Sequence, residues 1–304
     1  MSGLDLMSGL VLPRHRFFAW GAVRGQLRSG LDHARRSPTL LTGLLVVALW
    51  LLIALLAPAI APYSPVEQRL AERLSPPSLK HPFGTDELGR DVFSRVLYGA
   101  RISLPIGFGV VILTAALGTT LGAVAGFVGG LVDEFIMRLC DAVLAFPSLI
   151  LAMAITAALG PGLQNAMLAI VLVLWPEYAR LMRGQVLALR EMEYVTAARA
   201  VGAPEVRILW RHILPNASSV VLVKASLDVG NAILLAAALS FVGLGAVPPT
   251  PEWGAMVAAA RQKFFEWWIG TFPGLAILST VIGFNFLGDG LRDLLDPRLR
   301  RLSR

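Results

Sequence analysis

The sequence predicts an all-α membrane protein with six transmembrane helices, and three observations carry that expectation. Hydrophobic residues make up 56% of the 304 and charged residues only 15%, where soluble domains carry about 25%, so there is too little charge to cover a water-facing surface. Several charge-free runs reach the ~20 residues that cross a hydrocarbon core of about 30 Å. Arginine is gathered into three segments, the pattern by which a chain sets its orientation in a membrane.

The first span is placed at 39–61, where the charge-free run that starts at Pro38 is densest from Leu40 to Ile60. The second is placed in Ile102 to Val132, which carries Gly118, Gly122 and Gly126 at four-residue spacing. That spacing makes a smooth strip along one helix face and predicts close approach of another helix. The run from Ala142 to Pro176 is too long for one helix. Gly160-Pro161-Gly162 interrupts it, which predicts a tight hairpin of spans three and four, the latter carrying Glu177 near its end. The fifth span is expected at Ser218 to Leu244 and the sixth at Trp268 to Leu287, with Trp267-Trp268 as an interfacial anchor.

Six spans put both termini on one side. Arg14, Arg16, Arg24, Arg28, Arg35 and Arg36 precede span one, and Arg180, Arg183, Arg190, Arg199, Arg207 and Arg211 lie between spans four and five. Arg292, Arg298, Arg300, Arg301 and Arg304 follow span six. The positive-inside bias makes these segments cytoplasmic: a leader at 1–38, a loop at 190–216 and a tail at 291–304 around a permease core at 102–290. The net charge of +7 therefore records topology and is no sign of nucleic-acid binding. The outer segment at 62–101 nearly balances its basic residues with Glu67, Glu72, Asp86, Glu87 and Asp91, and it is long enough for a small folded cap. His81 with Asp86, Glu87 and Asp91 lacks the repeat of a calcium loop.

The loop at 190–216 is too polar to span. Val195, Ala198 and Val201, then Val206, Leu209 and Ile213, recur at helical spacing around Gly202-Ala203-Pro204, so two short helices about a kink are expected. Within the spans, Lys224 and Asp228 stand four apart and can pair across one turn, with Asn231 on nearly the same face. These three, with Asn285 of span six, are the candidates for lining a translocation path, because polar residues inside spans mark such paths. Asp289 is expected to serve packing or the interface, and Glu177 and Arg180 to sit at the cytoplasmic mouth.

Chemistry is otherwise sparse. The only lysines are Lys80, Lys224 and Lys263, none in a phosphate-binding Gly-Lys-Ser/Thr context, so any nucleotide energy comes from another chain. His15, His33, His81 and His212 form no zinc-protease pair and no nucleophile elbow occurs, so no catalytic, metal or cofactor site is expected. The lone Cys140 excludes an internal disulfide.

Two stretches resemble a known family. Thr196-Ala197-Ala198, three residues, Gly202, nine residues and His212-Ile213-Leu214-Pro215 is similar to the cytoplasmic loop of inner-membrane permease subunits of ATP-binding-cassette importers. That loop reads Glu-Ala-Ala, three residues, Gly, nine residues, Ile, one residue, Leu-Pro; here Thr196 replaces the Glu and His212 the Ile, with Glu193 one turn earlier. The segment from His81-Pro82-Phe83-Gly84-Thr85-Asp86 to Tyr98-Gly99-Ala100-Arg101, with Leu239 to Gly245 and Pro251-Glu252-Trp253-Gly254, resembles the C-type permease of dipeptide, oligopeptide and nickel importers.

The resemblance implies a type I importer fold in the bacterial cytoplasmic (inner) membrane. The implied partners are a paralogous B-type permease, two ATPase subunits that use ATP and Mg, an extracytoplasmic substrate-binding protein and membrane lipids. It implies that Glu193, Thr196, Ala197, Ala198, Gly202, Leu214 and Pro215 couple the chain to the ATPases, and that Asp86, Glu87, Arg90 and Asp91 contact the binding protein. The cargo is expected to be a dipeptide or oligopeptide, with nickel or another small solute as the alternative. A self-sufficient secondary transporter is the reading from a different class, and it predicts an internal repeat between the halves, which is not evident.

Overall fold

A computed structural model describes residues 37–263 and 265–295, and among them there is helix but no strand. The arginines from Arg14 to Arg36 and from Arg298 to Arg304 lie outside the described residues. The long helices are α1 (Pro38–Ile60), α2 (Val92–Val128), α5 (Leu163–Arg190), α8 (Leu214–Phe241) and α10 (Trp268–Leu295). Between them lie α3 (Gly130–Leu144), α4 (Ser148–Leu159), α6 (Glu193–Ala200), α7 (Glu205–Ile208) and α9 (Trp253–Ala259). Five helices are long and apolar enough to cross a membrane, or six if α3 and α4 count as one bent span. The expected all-α membrane architecture therefore stands.

Each helix begins where its sequence says it can. Ser37 caps α1 by accepting the Leu40 N–H, with Pro38 in the first turn. Asp91 caps α2 by accepting the Ser94 N–H at 2.7 Å. Leu45, Leu49, Leu52 and Leu55 of α1 project outward, as a lipid-facing helix requires, while Gly43 abuts the Leu287 backbone of α10.

The glycine strip of α2 packs as expected. A Cβ at Gly118 would strike the Trp175 carbonyl of α5, one at Gly122 the Ala179 carbonyl, and one at Gly126 would lie 3.0 Å from that of Arg183. The two helices run parallel at backbone contact, which only glycine permits. Around this pair a core forms from Val110, Ile170, Ile233 and Leu239, with α8 antiparallel to α2 and α10 closing against α8.

Three expectations need correction. The second long helix begins at Val92, ten residues before Ile102, because Asp91 supplies an N-cap there, so the last part of the expected outer segment is helix. The third span is not a straight helix: α3 and α4 meet at 91°. Pro147 explains the break, since the residue before a proline is pushed out of the helical region. At 12 residues α4 is about 18 Å long, too short to cross alone. Trp268 is no interfacial anchor; it is buried and donates from Nε1 to the Thr85 carbonyl at 3.1 Å, whereas Trp267 is exposed.

Candidate functional site

Three places in the fold hold the residues singled out by sequence. At one end of the bundle a cap covers the start of α2. Asp91 faces His81 Nδ1 at 2.8 Å, and His81 Nε2 lies 3.0 Å from Glu72, which Lys80 also grips. Lys80 and His81 hold the Glu72 carboxyl below the usual carboxylate range. Asp86 accepts the backbone N–H groups of Leu88 and Arg90 at 2.9 and 3.0 Å and the Arg90 guanidinium at 2.6 Å. Arg95 adds a hydrogen bond from Nη1 to the Pro65 carbonyl at 2.8 Å.

Asp86, Arg90 and Asp91 are thus buried and engaged inside this chain, and Glu87 alone of the four expected binding-protein contacts is exposed. The spacing held the signal: an Asp three residues before a glycine turn, or directly before a helix start, accepts local N–H groups before it meets anything external. Two residues that entered only as part of the family resemblance, with no role, complete this end. Trp253 is fully buried and donates to the Val96 carbonyl at 2.9 Å. Glu252 caps α9 through the N–H groups of Gly254 and Ala255 at 2.9 and 2.8 Å, and burial pushes its carboxyl above the usual range.

Midway along the bundle, Lys224 on α8 pairs with Asp228 at 3.0 Å across one turn and with Glu177 on α5 at 2.6 Å. Its ammonium also stands 5.0 Å from the centre of the Tyr178 ring. Glu177 is therefore tied to the path candidates, while Arg180 turns away to Asp141 on α3. Asn231, Asn285 and Asp289 are exposed on the bundle surface.

At the end opposite the cap, the loop between α5 and α8 folds into α6 and α7. Gly202 turns the chain at φ +80°, a conformation that side chains rarely adopt, with its N–H donated to Arg199 O at 2.9 Å. Arg199 Nε reaches Glu205 at 3.0 Å and clasps the turn. Val195, Ile208, Ile213 and Ala217 are fully buried in one small apolar cluster with Met182 and Val186 of α5 and Ala123 of α2. This cluster fastens the loop to three long helices. Its other face is bare: Glu193, Thr196, Ala197, Gly202 and Pro215 are exposed, Ala198 and Leu214 half-buried, and Val201 is 84% exposed.

Comparison with known proteins shows the family. Residues 118–301 match the family model described as the binding-protein-dependent transport system inner membrane component, and residues 26–77 match that of the N-terminal transmembrane domain of oligopeptide transport permease C. The chain is 46% identical to the dipeptide transport system permease protein of Alkalihalophilus pseudofirmus, over 90% of each chain. It is 50% identical to the probable D,D-dipeptide transport system permease protein of Escherichia coli, over 91% of this chain and 95% of the relative. It is also 47% identical to the glutathione transport system permease protein of Escherichia coli O157:H7, over 88% of each.

Proposed function

The chain belongs to the family of binding-protein-dependent transport system inner membrane components, and on that premise we propose that it is the permease subunit of an ATP-driven importer of short peptides. It is a multi-pass inner-membrane protein of five to six spans. Each of the three relatives above is named for carrying a dipeptide or glutathione, itself a peptide, and this supports the cargo class. The cap end faces outward to a binding protein, with Glu87 as an exposed contact. The loop end faces the cytoplasm and two ATPase subunits, and a paralogous permease completes the path.

The observation that carries the reading is the two-sided loop. Val195, Ile208 and Ile213 fix α6 and α7 to the ends of α2, α5 and α8, while the Ala197 face stays open. A docked ATPase that moves α6 must then move three spans with it. ATP favours whichever arrangement it binds more tightly, and that differential affinity is what switches the spans between outward-open and inward-open states. The chain itself carries out no hydrolysis in this scheme; ATP and Mg belong to the partner.

A tagged chain, expressed with its partner subunits, tests this. Ala197→Trp, which fills the open face and touches none of the buried cluster, is expected to insert normally and to lose the copurifying ATPases. Equal ATPase recovery from wild type and variant would refute the assignment.

A further inference from the structure

We propose that Glu177, with Lys224 and Asp228, forms a subsite within the translocation path that receives a side-chain ammonium group of the peptide cargo; the proposal rests on the importer reading above. Three observations place it there. Glu177 lies at the middle of the 28-residue α5, about 20 Å from either end, and Lys224 about 15 Å into α8. Charged groups on a span face a water-filled cavity or a protein interface and not lipid. Yet the Glu177 side chain is 45% exposed, while those of Lys224 and Asp228 are 22% and 14% exposed. It is the member of the group that looks outward.

The charge count gives the site its sign. Two carboxylates surround one ammonium, so the cluster carries one net negative charge. Neither nearby arginine cancels it, because Arg180 is taken by Asp141 and Arg183 by Asp133. The Lys224 ammonium contacts Oε2 of Glu177, which leaves Oε1 without a hydrogen bond among the described residues. Tyr178 is fully buried, and its ring face is already taken by the Lys224 ammonium. An exposed, half-used carboxylate in a group of net negative charge suits a primary ammonium, which offers three donors. The same carboxylates hold Lys224 in place, so the peptide's cation meets a pre-ordered acceptor and does not compete with a wandering side chain.

The test uses the complete importer, this chain with its partner subunits and binding protein, in proteoliposomes with ATP on the ATPase side. The readout is the ratio of initial uptake rates for alanyl-lysine and alanyl-glutamate, which differ in charge and share the same binding protein in every variant. Glu177→Gln, which keeps the shape and can still bond Lys224, is expected to lower that ratio about tenfold, the factor that 1.4 kcal/mol represents. Asp228→Asn removes the same unit of charge from the deeper carboxylate and should shift the ratio the same way. Glu177→Asp should hold it within about twofold. An unchanged ratio in both charge-removing variants overturns the subsite. So does an equal loss for both peptides, which would make the cluster a structural lock between α5 and α8. ATP-dependent uptake of neither peptide by the wild type would instead remove the peptide-importer reading on which the subsite stands.

Discussion

The Arg183 guanidinium donates two hydrogen bonds to Asp133, from Nε at 2.5 Å and from Nη2 at 2.6 Å, and so fastens α3 to α5 at the loop end of the bundle. Such a two-pronged bond fixes direction as well as distance. The elbow between α3 and α4 hangs from it and from the Arg180–Asp141 pair beside it. Arg183→Met is expected to cost about 1.5–3 kcal/mol, the range for hydrogen bonds to charged groups, read as a lower melting temperature in detergent. Adding Asp133→Asn should cost little more, since the partner is already lost. Strictly additive losses would show that the two residues act separately.

Gly122 offers a sharper packing test. A Cβ there would run into the Ala179 carbonyl, whereas one at Gly184 would meet nothing within 4 Å. Gly122→Leu should separate α2 from α5 at a cost of about 3 kcal/mol or more, seen as loss of folded protein in size-exclusion chromatography. Gly184→Ala should leave the yield unchanged. Similar behaviour of the two variants would contradict the close α2–α5 contact.

Acid should loosen the cap before it loosens the spans. The folded-state pKa of Glu72 is lowered, chiefly by Lys80 and His81, so its contribution to stability is complete above the ordinary glutamate value. That contribution is lost as pH falls through the lowered one. Glu252 runs the other way: burial raises its folded value, so it disfavours the folded state as pH rises from the ordinary value through the raised one. Hydrogen-exchange protection factors of amides in 61–91, taken relative to the intrinsic exchange rate from neutral pH to about pH 3, should fall on the acid side. Glu72→Gln should flatten that dependence, and an identical acid limb in the variant would show that Glu72 is not its source.

The turn between α6 and α7 depends on backbone conformation and not on room. At Gly202 φ is +80° and nothing lies within 4 Å of an added Cβ. Gly202→Asn, which tolerates that region, should retain most uptake, while Gly202→Val should lose it at a conformational cost of about 1–2 kcal/mol. Equal uptake with Asn and Val would show that the turn angle is immaterial to coupling.

Much of this was legible in residue order. Charge-free runs located the long helices, and the Gly118-Gly122-Gly126 strip announced a helix contact without naming Trp175 to Arg183 as the partner surface. Periodicity in the loop found Val195 and Ile213, which are buried as the spacing implies. The bend at Pro147 was hidden inside an unbroken apolar run, because hydropathy does not distinguish a straight span from a folded one. The roles of Asp86 and Asp91 were masked for another reason. A charged residue in an outer segment reads as solvent-facing until the turn and cap that consume it are seen. Glu177 was visible as a charge near a span, but its pairing with Lys224 crosses 47 residues and belongs to tertiary structure.

The central claim is that this chain moves peptides only when an ATPase pushes on the face around Ala197. Import of a labelled dipeptide into proteoliposomes that hold the complete assembly tests it most directly. Uptake should require both ATP and the binding protein, and Ala197→Trp should abolish it while leaving the chain inserted. Uptake by this chain alone, driven by an ion gradient without ATP, would contradict the account.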